Sequence, residues 1–423
     1  MTYRNRELGS LLVVAVLTGL GFASVYIARQ EVVSASSLTY GIFFLGLYLA
    51  AHIVTRLTVP SADPYLLPLA GLLSAIGVIE IYRLGSADAL HQSYWIVTGL
   101  AAFALTLVLL RRDHRRLENY KYTFGLAAVA LLALPALPVI GRTVNGARLW
   151  VKVGPLQFQP GELAKIMLIV FLAGYLREKR EVLAQGRAKD LGPLLLIWGA
   201  AMLVLLETND LGSALLYFGI FLGMLYVATG RLAYPLAGIV LFAAGSFAAY
   251  HGIARVRERV STWLDPWADP HDTGYQTVQG LYSIGNGRFG GSGLGKGTFA
   301  LPDWTPLIPY LKTDFIYSAL AQELGLIGIA AFLLVYMVFV LRGLRVSLIA
   351  EDGFSKLLAT GLTFSFALQT FIIVGGILRV IPLTGITLPL VSYGGSSIVA
   401  NFLVLAGLML VSDRANEELE GAP

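Results

Sequence analysis

Cysteine is absent from the 423-residue sequence. Disulfides, thiol nucleophiles and cysteine-ligated metal sites are excluded with it. Charge is scarce as well. Asp, Glu, Lys and Arg make up 13% of the chain, against about 25% in a soluble domain, while 56% of it is hydrophobic. A chain this apolar cannot cover a water-facing surface. The histidines are His52, His91, His114, His251 and His271, and they form no ligand spacing. Only Asp269, His271 and Asp272 lie close enough in sequence for a carboxylate-rich cation site. The net charge of +5 is no nucleic-acid signal, because the basic residues sit in short loops between apolar runs, where orientation signals lie.

What remains is long apolar runs. Stretches of roughly 17 to 25 residues recur along the chain, each enough to cross a bilayer as a helix. They predict an all-α, polytopic transmembrane bundle of twelve spans, near 10–28, 38–57, 64–83, 91–110, 122–140, 160–177, 191–206, 210–228, 232–250, 314–341, 355–378 and 394–412. The first run follows Arg4 and Arg6. A cleaved signal peptide is its rival reading, but the run is long for one and no small-x-small site follows. Lys and Arg collect in alternate loops: Arg111 to Lys121, Arg177 to Lys189, and Arg342 to Lys356. By the positive-inside rule these loops and both termini are cytoplasmic. Two of the spans fall in residues 1–60 and ten in 61–413, and 414–423 follow as a short cytoplasmic tail. The opposite side receives Gly141 to Gln159, a long extracytoplasmic loop over 251–312, and Arg379 to Tyr393. Loops that long are usually functional.

Each of these segments carries candidate chemistry. The long loop holds Arg257, Arg259, Asp265-Pro266-Trp267 and Asp269-Pro270, then Gly274-Tyr275-Gln276. Aspartates before prolines are common turn formers. A carboxylate flanked by rings and arginines at the membrane surface also suits a general base. Farther on, Gly285-Asn-Gly287-Arg-Phe-Gly290 matches a dinucleotide fingerprint and Gly290 to Gly297 nearly matches a P-loop. No βαβ unit surrounds them and Gly297 stands where Ser or Thr is required. A re-entrant or hinge segment is the better reading, with its amides free to cradle a pyrophosphate. Glu162 and Lys165 share a helix face. Charges in a span pair up or line a polar cavity, and the pair fits either use. Asp210 and Asp314 open spans, a common N-cap position, whereas Glu323 lies deeper and needs a partner or a cavity. Finally, Ile381 to Ser397 holds two prolines and three glycines in an apolar stretch, with Ser392, Ser396 and Ser397 as hydroxyls. Irregular backbone at membrane depth must be buried in protein or line a cavity.

In this order the motifs resemble the SEDS family (shape, elongation, division and sporulation), the RodA/FtsW proteins. The residues that carry the resemblance are Asn145 to Trp150 with Gln159-Pro-Gly-Glu162 and Lys165, Asp210-Leu-Gly-Ser-Ala214, Asp269-Pro270 with Gly274-Tyr-Gln276, Thr313-Asp-Phe-Ile316 with Glu323-Leu-Gly325, and Pro382 to Ser397. The resemblance implies a ten-helix core preceded by two extra helices. It also implies a peptidoglycan glycosyltransferase in the bacterial plasma membrane. Such an enzyme polymerises lipid II onto an undecaprenyl-pyrophosphate-linked glycan strand, with a class B penicillin-binding protein as partner. Asp269 becomes the catalytic base, with Asp265 ranked second. Arg148, Glu162, Lys165, Arg259, Asp314, Ser392 and Ser396 become substrate-binding residues. No metal ligand is assigned, although the pyrophosphate leaves room for a divalent cation, Mg or Mn, beside it. Departures are Leu149 where the family has Arg, with Arg148 one position earlier, Gly161 for Ser, Lys312 for His, Gln322 for Glu, and Ile373 and Arg379 where Asn and Gly are frequent. Two other readings stay open: a lipid II flippase, which also uses broken helices and intramembrane charge, and a non-catalytic scaffold for a transpeptidase. Elongation and division are not distinguished.

Overall fold

The computed structural model describes residues 3–28, 35–138, 140–144, 147–154, 156–185, 191–299 and 307–420. Its helices follow the apolar runs, because a backbone inside a bilayer must satisfy its own hydrogen bonds. In chain order, α1 spans Tyr3–Ala28, α2 Ala35–Thr58, α3 Leu66–Leu84 and α4 Ser86–Leu110. A single turn, α5 (Arg116–Asn119), precedes α6 (Lys121–Ala133), α7 (Pro160–Ala184), α8 (Gly192–Glu207), α9 (Leu211–Thr229) and α10 (Ala233–Gly252). The long loop folds α11 (Ala254–Leu264) and α12 (Tyr275–Asn286), and the chain closes with α13 (Ile316–Ile349), α14 (Gly353–Ile377) and α15 (Gly395–Glu420). Every expected span is met by a helix. Among the described residues nine helices are long and apolar enough to cross a membrane, with α6 and α8 as shorter apolar helices. α15 runs on through most of the residues expected as a tail.

Burial sorts these helices. α3, α14 and α15 are largely covered by the rest of the bundle, whereas Gly238 alone is buried on α10. The N-terminal pair packs along α3, with Phe22, Tyr26 and Tyr40 around Tyr82, and is tied at the other end by polar contacts. Glu7, fully buried, accepts from Thr55 Oγ1 (2.7 Å) and meets His52 Nδ1 (2.7 Å) and Arg4, and Arg4 also donates to the Ala62 carbonyl.

Two features were not expected. Three strands, β1 (Gly141–Val144), β2 (Ala147–Val153) and β3 (Leu156–Phe158), form an antiparallel sheet, with Arg142 opposite Trp150 and Lys152 opposite Gln157. Its signal was in the sequence: Asn145-Gly146, a preferred hairpin pair, stands between alternating residues. The second feature is a break in α13. Gly325 has φ +67° and ψ −175°, so the amides after it lose their helical acceptors. The glycine-rich segment supplies replacements. Leu326 and Ile327 N donate to the Arg288 and Phe289 carbonyls (2.9 and 3.2 Å), and Ser292 and Gly293 N donate to Gln322 and Glu323 O (both 3.0 Å).

Candidate active site

The site is built where α7, α9, α11 and the segment after α14 converge. β3 leads into α7 through Gln159-Pro160, and proline suits the first helical position, where no N–H is needed. The first two turns of α7 then carry Glu162 and Lys165. Lys165 is almost fully buried, and its ammonium donates to Glu162 Oε2 (2.9 Å) and Gln369 Oε1 (2.6 Å). Gln369 passes the chain on, donating to the Thr387 carbonyl (2.9 Å), and Thr387 Oγ1 donates to Ser397 Oγ (2.7 Å). The expected Glu162–Lys165 pair is therefore present and also lines a cavity, with Asp210, Tyr217, Gln369 and Thr387 in the same wall. Gln369 was missed in the sequence, although an amide in the middle of an apolar run is a signal of this kind.

Residues 378–394 re-enter the bundle as irregular backbone, with Arg379, Gly385 and Leu390 all at positive φ. Serines bolt this segment down. Ser392 Oγ donates to the Thr313 carbonyl (2.5 Å) and accepts from Leu388 N (2.9 Å), and Ser396 Oγ accepts from Gln159 N (2.8 Å). Both hydroxyls hold protein to protein. Beside Gly385 lies a charge cluster. Asp210 caps α9 through Ser213 N (3.0 Å), Arg259 of α11 donates to the Thr384 carbonyl (3.4 Å), and Asp314 Oδ2 faces Gly385. Burial pulls the Arg259 pKa below its usual value, reinforced by Arg255 and opposed by Asp210 and Asp314. Burial likewise pushes the Asp314 carboxyl up to about 6, against the pull of the Thr313 hydroxyl and Arg259.

Asp269 occupies different ground. It is exposed, and its Oδ2 accepts only long bonds from Thr273 N (3.4 Å) and Oγ1 (3.3 Å). The turn around it is tight. Gly274 N donates to the Asp269 carbonyl (2.9 Å), and a Cβ on Gly274 would sit 2.0 Å from the Pro266 carbonyl. Only glycine closes this turn, which accounts for the Asp269-Pro270…Gly274-Tyr275 spacing. Asp265 caps the turn through Trp267 N (3.1 Å), a structural use. Arg379 anchors the whole arm. Its guanidinium donates to the carbonyls of Trp263 (2.9 Å) and Leu264 (2.7 Å) at the end of α11 and lies 5.1 Å from the Trp267 ring centre. Trp263 Nε1 returns a bond to the Arg379 carbonyl (3.0 Å).

Arg148, expected beside the substrate in place of the family arginine, stands on the strand face opposite Leu149. Neighbours on a strand point to opposite faces. Leu149 lines the cavity, while the Arg148 guanidinium donates to the Leu137 carbonyl (3.1 Å). One expectation needs correction: the glycine-rich amides do not await a pyrophosphate. Gly295 N and Gly297 N donate to the Glu323 carboxylate (2.7 and 2.9 Å), so the protein fills that nest with its own anion. Among the described residues no three His, Asp or Glu side chains gather as a metal site.

The family model for FtsW, RodA and SpoVE, described as a cell cycle protein, matches residues 65–417. The chain belongs to this family. The match begins at α3, so α1 and α2 lie outside it. The peptidoglycan glycosyltransferase RodA of Mycobacterium tuberculosis is 41% identical over 100% of this chain and 93% of its own length. The same enzyme of Mycobacterium leprae is 39% identical over the same shares. A probable peptidoglycan glycosyltransferase FtsW of Geobacter metallireducens is 32% identical over 85% of this chain and 96% of its own. Among solved structures, a chain of a peptidoglycan synthase complex that coordinates polymerization and crosslinking superposes with a TM-score of 0.69 at 30% identity, covering 84% of this chain and 98% of that one. Thermus thermophilus RodA, a rod shape determining protein, gives 0.62 at 27% identity over 83% and 97%. The SEDS fold expected from the motifs is thus the fold observed.

Proposed function

We propose that this chain is a peptidoglycan glycosyltransferase that polymerises lipid II at the outer leaflet of the plasma membrane, with both termini cytoplasmic. The observation that carries the proposal is the convergence of Glu162, Lys165, Asp210, Arg259 and Asp314 on the re-entrant Thr384–Thr387 stretch. The turn bearing Asp269 is pinned to the same segment by Arg379. Lys165 and Asp210 are buried, and charge at membrane depth is expensive, pairs up or faces a polar cavity, and marks a functional site.

The chemistry is an inverting displacement. The 4-hydroxyl oxygen of the lipid II GlcNAc forms a bond to the anomeric carbon of the growing strand. The bond from that carbon to the pyrophosphate oxygen breaks, and undecaprenyl pyrophosphate leaves. Asp269 accepts the hydroxyl proton as the attack proceeds. Arg259 and Lys165 offset charge developing on the leaving pyrophosphate, fixed before the reaction starts. A loosely held, exposed carboxylate suits the base, because its lone pairs stay open to substrate. The mycobacterial RodA relatives cover the whole chain, including α1 and α2, which favours the elongation role over division. A class B penicillin-binding protein is the partner this role requires.

The test is strand synthesis from lipid II by the purified full-length protein, alone and with its cognate transpeptidase. Moenomycin is added to silence classical polymerases. Glycan strands made by the wild type and lost in Asp269→Ala support the reading. A folded wild type that makes none, even with its partner, sinks it in favour of the flippase or scaffold.

A further inference from the structure

Two cavities meet on the side of the bundle opposite the candidate active site. The first, of about 200 Å³, runs between α4, α6, α7, α14 and α15 and is apolar, walled by Leu110, Phe124, Met167, Leu362 and Leu403. The second, of about 510 Å³, opens at the end of α4 and is ringed by Arg111, Arg112, Arg115, Arg116 and Arg414. His114 and Leu410 line both. Burial holds the His114 pKa down to about 4, and its Nε2 meets Ser355 Oγ (2.7 Å), so the histidine is a neutral part of the wall. The charge of the basin comes from its arginines.

Three carboxylates line the same basin, Asp113, Asp413 and Glu417, and they answer only part of the charge of its five arginines, Asp413 accepting from Ser61 N (2.7 Å). Asp113 serves both Arg115 (3.4 Å) and Arg116 (3.8 Å), and Arg414 pairs with Glu418 (2.9 Å) and Glu417 (3.9 Å). Among the described residues Arg111 and Arg112 have no carboxylate within salt-bridge reach, and both are exposed. Orientation signals alone need no cavity, yet these arginines surround one, and it shares His114 and Leu410 with an apolar slot between helices.

From this juxtaposition we infer that the two cavities form one binding site for an anionic phospholipid of the cytoplasmic leaflet, with an acyl chain in the slot and the phosphate at Arg111 and Arg112. The chemistry selects this occupant. A free phosphate has nothing to place in the slot, and a zwitterionic lipid brings no net charge to the basin. The leaflet rests on the proposed orientation; the binding rests on neither that nor the glycosyltransferase reading.

Native mass spectrometry of the full-length protein in detergent tests the site, with dioleoyl phosphatidylglycerol, dioleoyl phosphatidylcholine and glycerol 3-phosphate as probes. Phosphatidylglycerol is expected to bind in preference to phosphatidylcholine and to resist displacement by glycerol 3-phosphate. The double variant R111Q/R112Q is expected to weaken phosphatidylglycerol about thirtyfold, from roughly fivefold per arginine at a charged lipid surface. Thr106→Phe, which puts a ring into the slot, is expected to weaken it while leaving all the arginines in place. Both variants should keep the wild-type unfolding midpoint, since Arg111 and Arg112 are exposed and Thr106 bonds only within its own helix. Equal binding of the two lipids overturns the inference, as does displacement by glycerol 3-phosphate or unchanged binding by the double variant.

Discussion

Lys165 and Asp269 are held in opposite ways. Lys165 is buried on a spanning helix and fixed by a carboxylate and an amide at 2.9 and 2.6 Å. Asp269 is exposed on a turn and touched only at 3.3 and 3.4 Å by a neighbouring threonine. The cavity wall is thus built in advance by packing, and its charges cannot follow a substrate. The arm that carries the base is free to meet one, but its root is fastened. Arg379 supplies that fastening, with two carbonyls and an indole ring. A fixed electrostatic wall beside a tethered, open carboxylate is a workable division of labour for joining two lipid-anchored sugars.

Substitutions separate the two regions. The largest expected effect is at Lys165. Lys165→Met leaves Glu162 without its cation and should destabilise the protein by about 3–5 kcal/mol, the cost of breaking a buried ion pair, while ending polymerisation. Adding Glu162→Gln should restore the unfolding midpoint but not the activity. A double variant that polymerises normally would make the pair a mere tie between helices. Next comes Arg379→Gly. Glycine accepts the positive φ of +60° at that position, so the exchange removes the tether without straining the backbone. We expect turnover to fall by about 10- to 100-fold, the scale of a misplaced catalytic group, with an unchanged midpoint and unchanged lipid II affinity. An equal loss of affinity would place Arg379 in binding instead.

A smaller effect should appear in pH dependence. Asp314 is raised from 3.8 to about 6 in the folded protein. Between those values the folded state holds a proton that the unfolded state has released. Its contribution to stability therefore falls as pH rises through that window. Asp314→Asn should flatten the slope of unfolding midpoint between about pH 4 and 6, measured on wild type and variant in parallel. An unchanged slope would remove Asp314 from the account. The smallest effect belongs to Arg148→Ala, which should leave polymerisation within about twofold, as for a surface change away from special features. A large loss there would reverse the assignment of Leu149 to the cavity face.

The contrast also explains what could be read in the sequence. The nine long apolar helices among the described residues, and the shorter α6 and α8, were legible because bilayer crossing imposes length and hydropathy on contiguous residues, whereas α7 carries too many charges to meet that measure. The tight turn at Asp269 was legible from its Asp-Pro and glycine spacing. Contacts between distant segments were not. Nothing local says that Gly325 breaks α13, that residues 288–293 repair the break, or that Glu323 fills the glycine-rich nest. Arg379 stood out only as a departure from the family pattern, and its left-handed backbone is one that glycine adopts without strain. The face on which Arg148 lies was not legible because the strand between the helices was not recognised, and one residue along a strand reverses the face.

The central claim is that Asp269 takes the proton while the fixed wall binds the substrates and offsets the charge of the leaving pyrophosphate. The direct test measures lipid II binding and strand synthesis together for wild type and Asp269→Ala in complex with the transpeptidase partner. The account predicts wild-type affinity with synthesis reduced by about 10²- to 10⁴-fold, the usual contribution of a general base. Strand synthesis at the wild-type rate would contradict it.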